Sequence, residues 1–244
     1  PPYGFDTLQI PAGARPDPAT GARQTPIYQT TAYVFRDADH AAALFNLQEV
    51  GDLYSRLTNP TVAVLQERIA TLEGGVGAVC CSSGHAAQIM ALFPLMGPGK
   101  NIVASTRLYG GTVTQFSHTI KRFGWSCKFV DFDDPQAVAD AIDDDPRAVF
   151  GEAIANPGGY IMDVRAIADV AHAAGVPLVV DNTVASPYLV RPGEHGADIV
   201  IHSATKYIGG HGVALGGVVV DIGSFDFGAD PERWPQFTTP YPRF

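Results

Sequence analysis

From Asn59 onward the chain alternates between apolar stripes at helical spacing and short unbroken apolar runs. After Asn59-Pro60, Val62, Leu65, Ile69 and Leu72 recur at three- and four-residue intervals and end at Gly74-Gly75. That spacing predicts a helix with proline in its first turn and a glycine stop. Residues 78–81 predict a short strand, and Ser83-Gly84 opens a helix expected to run towards Met96. Strands follow at 102–105, 127–130 and 148–154, with helices at 111–122 and 135–142 between them. Asp163 is placed to cap a helix whose face is Val164, Ile167, Ala168, Ala171 and Ala174, stopped by Gly175 with Pro177 beyond. A strand at 178–180 ends at Asp181, and 199–201 and 218–220 are further apolar runs.

Strands without polar alternation, separated by helices, predict an α/β fold with a mostly parallel sheet covered by helices on both faces. Ligands of such sheets bind beyond the carboxyl ends of the strands. The informative residues are therefore those just after each apolar run.

Residues 1–58 have a different texture, an N-terminal arm and first helix ahead of the large domain at 59–244. Pro1, Pro2, Pro11, Pro16, Pro18 and Pro26, with Gly13 and Gly21, predict an extended arm that must lie on its own body or on a neighbouring subunit. With 46% hydrophobic residues the chain is expected to fold rather than stay disordered. A net charge of −9 argues against a nucleic-acid partner. Cys80, Cys81 and Cys127 form no disulfide framework and read as buried free thiols, which fits a reducing compartment. The opening residues lack the basic start and apolar core of a cleavable signal, and no apolar run approaches a membrane span. A cytoplasmic metabolic enzyme is expected.

The candidate chemistry follows the strands. Ser203-Ala-Thr-Lys206 comes directly after the run ending at His202, so Lys206 is expected to be partly desolvated and thereby reactive. Ser203 and Thr205 flank it with hydroxyls suited to a phosphate, and Gly209-Gly210-His211-Gly212 follows. Asp181-Asn182-Thr183 ends another strand, where a carboxylate can face a cationic ring nitrogen or simply cap a loop. Ser82-Ser83-Gly84-His85 joins a strand to a helix whose exposed N–H groups attract phosphate. His85 reads equally as a ligand contact or as a first-turn polar residue. Tyr109, in a loop, can stack on a flat ring or pack. Tyr54 and Arg56 precede Asn59-Pro60, and the arginine fork suits phosphate. Glu152 and Asn156-Pro157 follow a further strand, and Asn156 can reach a phenolic oxygen or serve as a turn residue. The histidines have no metal-ligand spacing, and there is no P-loop, GxGxxG after a strand, or GxSxG elbow.

Together these motifs resemble one family. Tyr54-Ser-Arg-Leu-Thr-Asn-Pro-Thr61, Ser82-Ser-Gly84, Tyr109-Gly-Gly-Thr112, Asn156-Pro157, Asp181-Asn-Thr183 and Ser203-Ala-Thr-Lys206 occur in the order seen in the pyridoxal-phosphate-dependent enzymes of Cys/Met metabolism. The resemblance runs from about residue 20 to the end. It implies the large domain of fold type I, aminotransferase-like, with the family's C-terminal small domain absent from these 244 residues. That small domain supplies the arginine for the substrate carboxylate. It also implies roles: Lys206 as the Schiff-base lysine and proton shuttle, Asp181 on the pyridine nitrogen, and Tyr109 stacked on the ring. Gly84, His85, Ser203 and Thr205 are implied at the phosphate, Asn156 at the phenolic oxygen, and Ser83 and Thr183 among the cofactor contacts. Tyr54 and Arg56 are implied to reach a neighbouring subunit's phosphate, within a homodimer that forms part of a homotetramer.

Gln24-Thr-Pro-Ile-Tyr28, Gly84-His85 and Lys206-Tyr-Ile-Gly-Gly-His-Gly212 resemble the sulfhydrylase branch. The implied reaction is γ-replacement on O-acetylhomoserine by sulfide or a thiol, giving homocysteine or a thioether plus acetate. The alternatives are cystathionine γ-synthase, cystathionine γ-lyase or methionine γ-lyase activity, or a catalytically silent cofactor-binding module.

Overall fold

The side chain of Asn59 accepts from the N–H groups of Thr61 and Val62, at 3.0 and 3.4 Å, and Pro60 opens the Pro60–Glu73 helix. Gly74 stops it at φ 77°, a left-handed conformation that a side chain would strain. Ile69 and Leu72 are buried as the stripe predicts and Leu65 is half-buried, but Val62 is exposed. The first turn engages the arm instead of the sheet: Thr61 Oγ1 donates to Pro26 O at 2.8 Å and accepts from Tyr28 N.

The computed structural model describes residues 3–240. Its sheet has seven strands: β1 (Gly77–Cys81), β2 (Asn101–Ser105), β3 (Ser126–Val130), β4 (Pro146–Glu152), β5 (Leu178–Asp181), β6 (Ile199–His202) and β7 (Gly217–Asp221). They lie in the order β1-β7-β6-β5-β4-β2-β3. The run from β6 to β3 is parallel, and β7 is antiparallel to both β6 and β1. The sheet is thus mostly parallel, as the apolar runs predict. The one reversal has a local cause: residues 203–216, between β6 and β7, contain no crossover helix to carry the chain back along the sheet.

Successive strand residues feed two cores. Val103, Val149, Val180, Val200 and Val220 pack on one face with Ile69 and Ile167. Ile102, Ala148, Val179 and Ile201 pack on the other with Leu92, Phe116 and Trp234. Both faces are covered, so the strands read as continuous apolar runs.

Three boundaries differ from the pattern. The Gly84–Leu92 helix stops short of Met96 because Pro94 cannot donate to a continuing turn. The segment expected as one helix at 111–122 winds three ways: α over Gly110–Thr114, π over Gln115–Thr119, 3₁₀ over Ile120–Phe123. β4 begins at Pro146 and ends at Glu152, where its pairing with β5 ends at Asp181.

Cys80 and Cys81 are neighbours on β1, so their side chains point to opposite faces, and all three cysteines are free. Burial pushes the Cys80 thiol up to about 11 and Cys127 up to about 12, and raises Cys81 as well. A thiolate reagent at about pH 8 should therefore leave all three unmodified in the folded protein and titrate them in denaturant. Rapid native-state labelling would show that the strand β1 is open to solvent. Among the described residues, no helix is long and apolar enough to cross a membrane.

Candidate functional site

A cleft of about 900 Å³ opens beyond the carboxyl ends of β2, β4, β5 and β6. Ten of the twelve candidate residues line it: Ser83, Gly84, His85, Tyr109, Asn156, Asp181, Thr183, Ser203, Thr205 and Lys206.

One wall is the start of the Gly84–Leu92 helix. Ser83 caps it by accepting from Ala86 N at 3.1 Å, which leaves the earliest N–H groups of the helix for a ligand. This start sits hard against the end of β6. A Cβ on Gly84 would lie 2.7 Å from Ser203 Cβ, and one on Gly217 would lie 2.0 Å from Ser83 O. Small residues at both positions let the helix N–H groups and the Ser203 hydroxyl converge, a geometry suited to a phosphate.

Asp181 ends β5 at the floor of the cleft and accepts from Thr183 N at 3.0 Å. Burial raises its carboxyl above the usual range, opposed by hydrogen bonds from Thr183, by the charge of His202 and by Gln88. Thr183 Oγ1 accepts from Ser203 N at 2.7 Å, tying the ends of β5 and β6 together. Thr205 lines the cleft, but its hydroxyl is engaged: it donates to Gly216 O and accepts from Gly216 N, at 3.2 and 3.0 Å.

Tyr109 and His85 stand on one side with ring centroids 5.9 Å apart and planes tilted by 32°. Gly111 makes room for this pair, since a Cβ there would come within 2.5 Å of the tyrosine ring and 2.7 Å of the imidazole.

Lys206 faces the cleft from the turn after β6. It is exposed, which corrects the expected desolvation: the turn lies outside the two covered faces of the sheet. The sequence has four lysines. Lys100 pairs with Asp145 and Lys128 with Asp143, whereas the amines of Lys121 and Lys206 have no ion pair or hydrogen bond among the described residues, and of these two Lys206 lines the cleft.

Tyr54 and Arg56 are the two candidates that this cleft does not gather. They lie on the arm, with the Arg56 guanidinium 5.5 Å from the Tyr54 ring centre, and line no part of it.

Gln88 and Glu152 also line the cleft, and the sequence pattern assigns a role to neither. Gln88 is buried, donates to Thr112 Oγ1 at 2.8 Å and accepts from Gln115 Nε2 at 3.0 Å. A lone amide among Ala86, Ala87, Ile89 and Met90 was the available signal. Glu152 accepts from Tyr109 N at 2.6 Å and from Asn156 N at 2.9 Å. Burial pushes its carboxyl up to about 7, against those two bonds and with help from the Asp181 charge.

A family model described as Cys/Met metabolism PLP-dependent enzyme matches residues 6–238. A homocysteine synthase of Schizosaccharomyces pombe is 54% identical over 241 residues, covering 98% of this chain and 56% of that protein. An O-acetyl-L-homoserine sulfhydrylase of Leptospira meyeri is 48% identical over 239 residues, covering 98% of this chain and 54% of its own length. A crystal structure from Campylobacter jejuni, assigned as an O-acetylhomoserine (thiol)-lyase, superposes with a TM-score of 0.89 at 41% identity. It covers 92% of this chain and 55% of that one, and one of its lysines is N'-pyridoxyl-lysine-5'-monophosphate. The chain spans about half the length of the curated relatives it matches.

Proposed function

Because the chain belongs to the Cys/Met-metabolism pyridoxal-phosphate-dependent enzymes, we propose that its cleft binds pyridoxal phosphate and serves γ-replacement on O-acetylhomoserine. This reading rests on one convergence: an unpaired lysine, a half-buried carboxylate, an aromatic ring and a helix start all face one cleft.

The residues fit the cofactor's parts. The Gly84–Leu92 helix start, with Ser83, His85 and Ser203, offers N–H and hydroxyl donors to a phosphate. Thr205 can join them by turning its hydroxyl away from Gly216. Asp181, with Thr183 beside it, offers a carboxylate to a protonated ring nitrogen, Tyr109 a face to the ring, and Asn156 an amide to the phenolic oxygen. When bound, pyridoxal phosphate supplies a conjugated ring that accepts electron density from the substrate carbon. The chain's own work is then to orient and to move protons. The Lys206 amine faces the cleft with no ion pair or hydrogen bond among the described residues, and in this reading it takes protons from the substrate's α and β carbons. In the net reaction a C–O bond to acetate breaks at the γ carbon and a C–S bond to sulfide or a thiol forms, giving homocysteine or a thioether.

No arginine lines the cleft among the described residues, so the group that holds the substrate carboxylate comes from outside it. This observation favours a second reading for the 244 residues taken alone: they bind cofactor without turning over. The arm supports a homodimer within a homotetramer. Val34 is 95% exposed and Val50 100%, surface that a second copy would cover, and Tyr54 and Arg56 on the same arm stand ready for a neighbour's phosphate. The free cysteines fit a cytoplasmic location.

Borohydride reduction of the chain with added pyridoxal phosphate, followed by peptide mapping, tests the site directly. The label is expected on Lys206. Label spread over Lys100, Lys121 and Lys128 would sink the proposal.

A further inference from the structure

We propose that Glu152 is a positioning residue of the cofactor site, whose carboxylate holds the Tyr109 and Asn156 loops at the spacing needed to grip a flat ring. The inference rests on the reading of the cleft as a pyridoxal phosphate site.

Glu152 is the last residue of β4, between β5 and β2, so it stands at the centre of the strand ends that form the cleft. Its Oε1 accepts from Tyr109 N, in the loop after β2, and its Oε2 from Asn156 N, in the loop after β4. Each of those N–H groups has this carboxylate as its acceptor and no other among the described residues. The side chain is only 6% exposed, so both bonds are made away from bulk water, where charge-assisted bonds are strong. The two loops also meet where the Arg107 guanidinium stands 4.1 Å from the Tyr160 ring centre, but among the described residues Glu152 makes the hydrogen-bonded link between Tyr109 and Asn156.

Only the anion can do this. It presents an acceptor oxygen to each loop, whereas a protonated carboxyl or a glutamine amide puts a hydrogen towards one of the two N–H groups. Burial has already pushed this carboxyl up to about 7, so the clamp is charged above that pH and is lost as the pH falls through it. The ionisable groups that share the cleft are Asp181 from β5, His85 from the Gly84–Leu92 helix, Lys206 and Tyr207 from the turn after β6, and Tyr109 itself. Of these, the Asp181 charge works against the Glu152 anion. A cation placed among them, or a protonated ring nitrogen facing Asp181, would favour that anion.

The experiment compares wild type with Glu152→Gln in two measurements. Amide hydrogen exchange at Tyr109 and Asn156 is read without cofactor. Pyridoxal phosphate affinity and its visible circular dichroism, a signature of fixed ring orientation, are read with it. The variant is expected to lose about tenfold in protection at both amides and about tenfold in affinity, with an altered dichroic band and the borohydride label still on Lys206. Faster exchange with unchanged affinity and dichroism would make Glu152 merely structural and overturn the inference. Wild type and variant binding the cofactor equally would overturn it too. A wild type that binds no pyridoxal phosphate overturns the reading of the cleft, and the inference with it. Should the variant not fold, the wild type decides. Its protection factors at Tyr109 and Asn156 must drop selectively below about pH 7, while those of β4 and β5 hold. PH-independent protection at both amides would refute the clamp.

Discussion

Lys206→Ala is expected to abolish turnover in the whole protein, by about 10³-fold or more, while leaving stability within about 0.5 kcal/mol of wild type. The side chain is exposed and makes no ion pair or hydrogen bond among the described residues, so its removal leaves no cavity and no orphaned partner. An amine held in a cleft with no partner from its own chain contributes nothing to folding and is available for chemistry. The turn that carries it remains fixed without the side chain, because Lys206 N donates to Ser203 O and Thr205 closes on Gly216. Homocysteine production from O-acetylhomoserine and sulfide measures the first half, and a thermal melt the second. Activity near wild type would refute the role of Lys206. A large fall in melting temperature would mean that the lysine is paired in the native protein by groups outside these residues.

The strand-end logic explains why so much of the site was legible. In a parallel sheet every strand delivers its last residue to the same edge, so a reader who finds the apolar runs has also found the cleft. Asp181 ends its run and Ser203 follows its own directly, while Tyr109, Asn156 and Lys206 each sit one short turn beyond theirs. Illegible features depended on partners far away in sequence. Glu73 reads as the end of a helix before a glycine stop, yet it pairs with His202, 129 residues later. Gln88 and Glu152 are polar residues whose acceptors and donors lie on other loops. The reversal of β7 was hidden because a buried antiparallel strand has the same unbroken apolar texture as its parallel neighbours. The exposure of Lys206 is hidden in the sequence for a related reason: burial of a strand does not extend to the turn beyond it.

The buried partnership of Glu73 carries the largest expected effect on stability. Glu73 Oε1 lies 2.6 Å from His202 Nε2 and accepts from Asn182 Nδ2 at 2.8 Å, and Glu73 and His202 side chains have no exposed surface. These contacts join the end of the Pro60–Glu73 helix to the residues just after Asp181 and just before Ser203. Glu73→Ala removes the shared acceptor and leaves an imidazole and an amide N–H buried. Asn182 retains one bond, to Val190 O at 2.9 Å, but His202 Nδ1 already has no partner, so the imidazole would be left with none. Breaking a buried pair from one side costs about 3–5 kcal/mol, a large part of the 5–15 kcal/mol that holds a typical domain together. Glu73→Gln retains an acceptor oxygen for both donors and should cost about 1 kcal/mol. Urea denaturation of the three proteins tests the ranking. Equal midpoints for wild type and Glu73→Ala would mean that water enters the site and satisfies His202. Equal losses for the two variants would mean that the charge of Glu73, beyond its acceptor oxygen, holds His202 in place. In either variant, loosening of this pair frees the ends of β5 and β6 from below, so cofactor affinity should fall together with stability. Affinity that survives a destabilised Glu73→Ala would show that Thr183 and Ser203 alone fix the floor of the cleft.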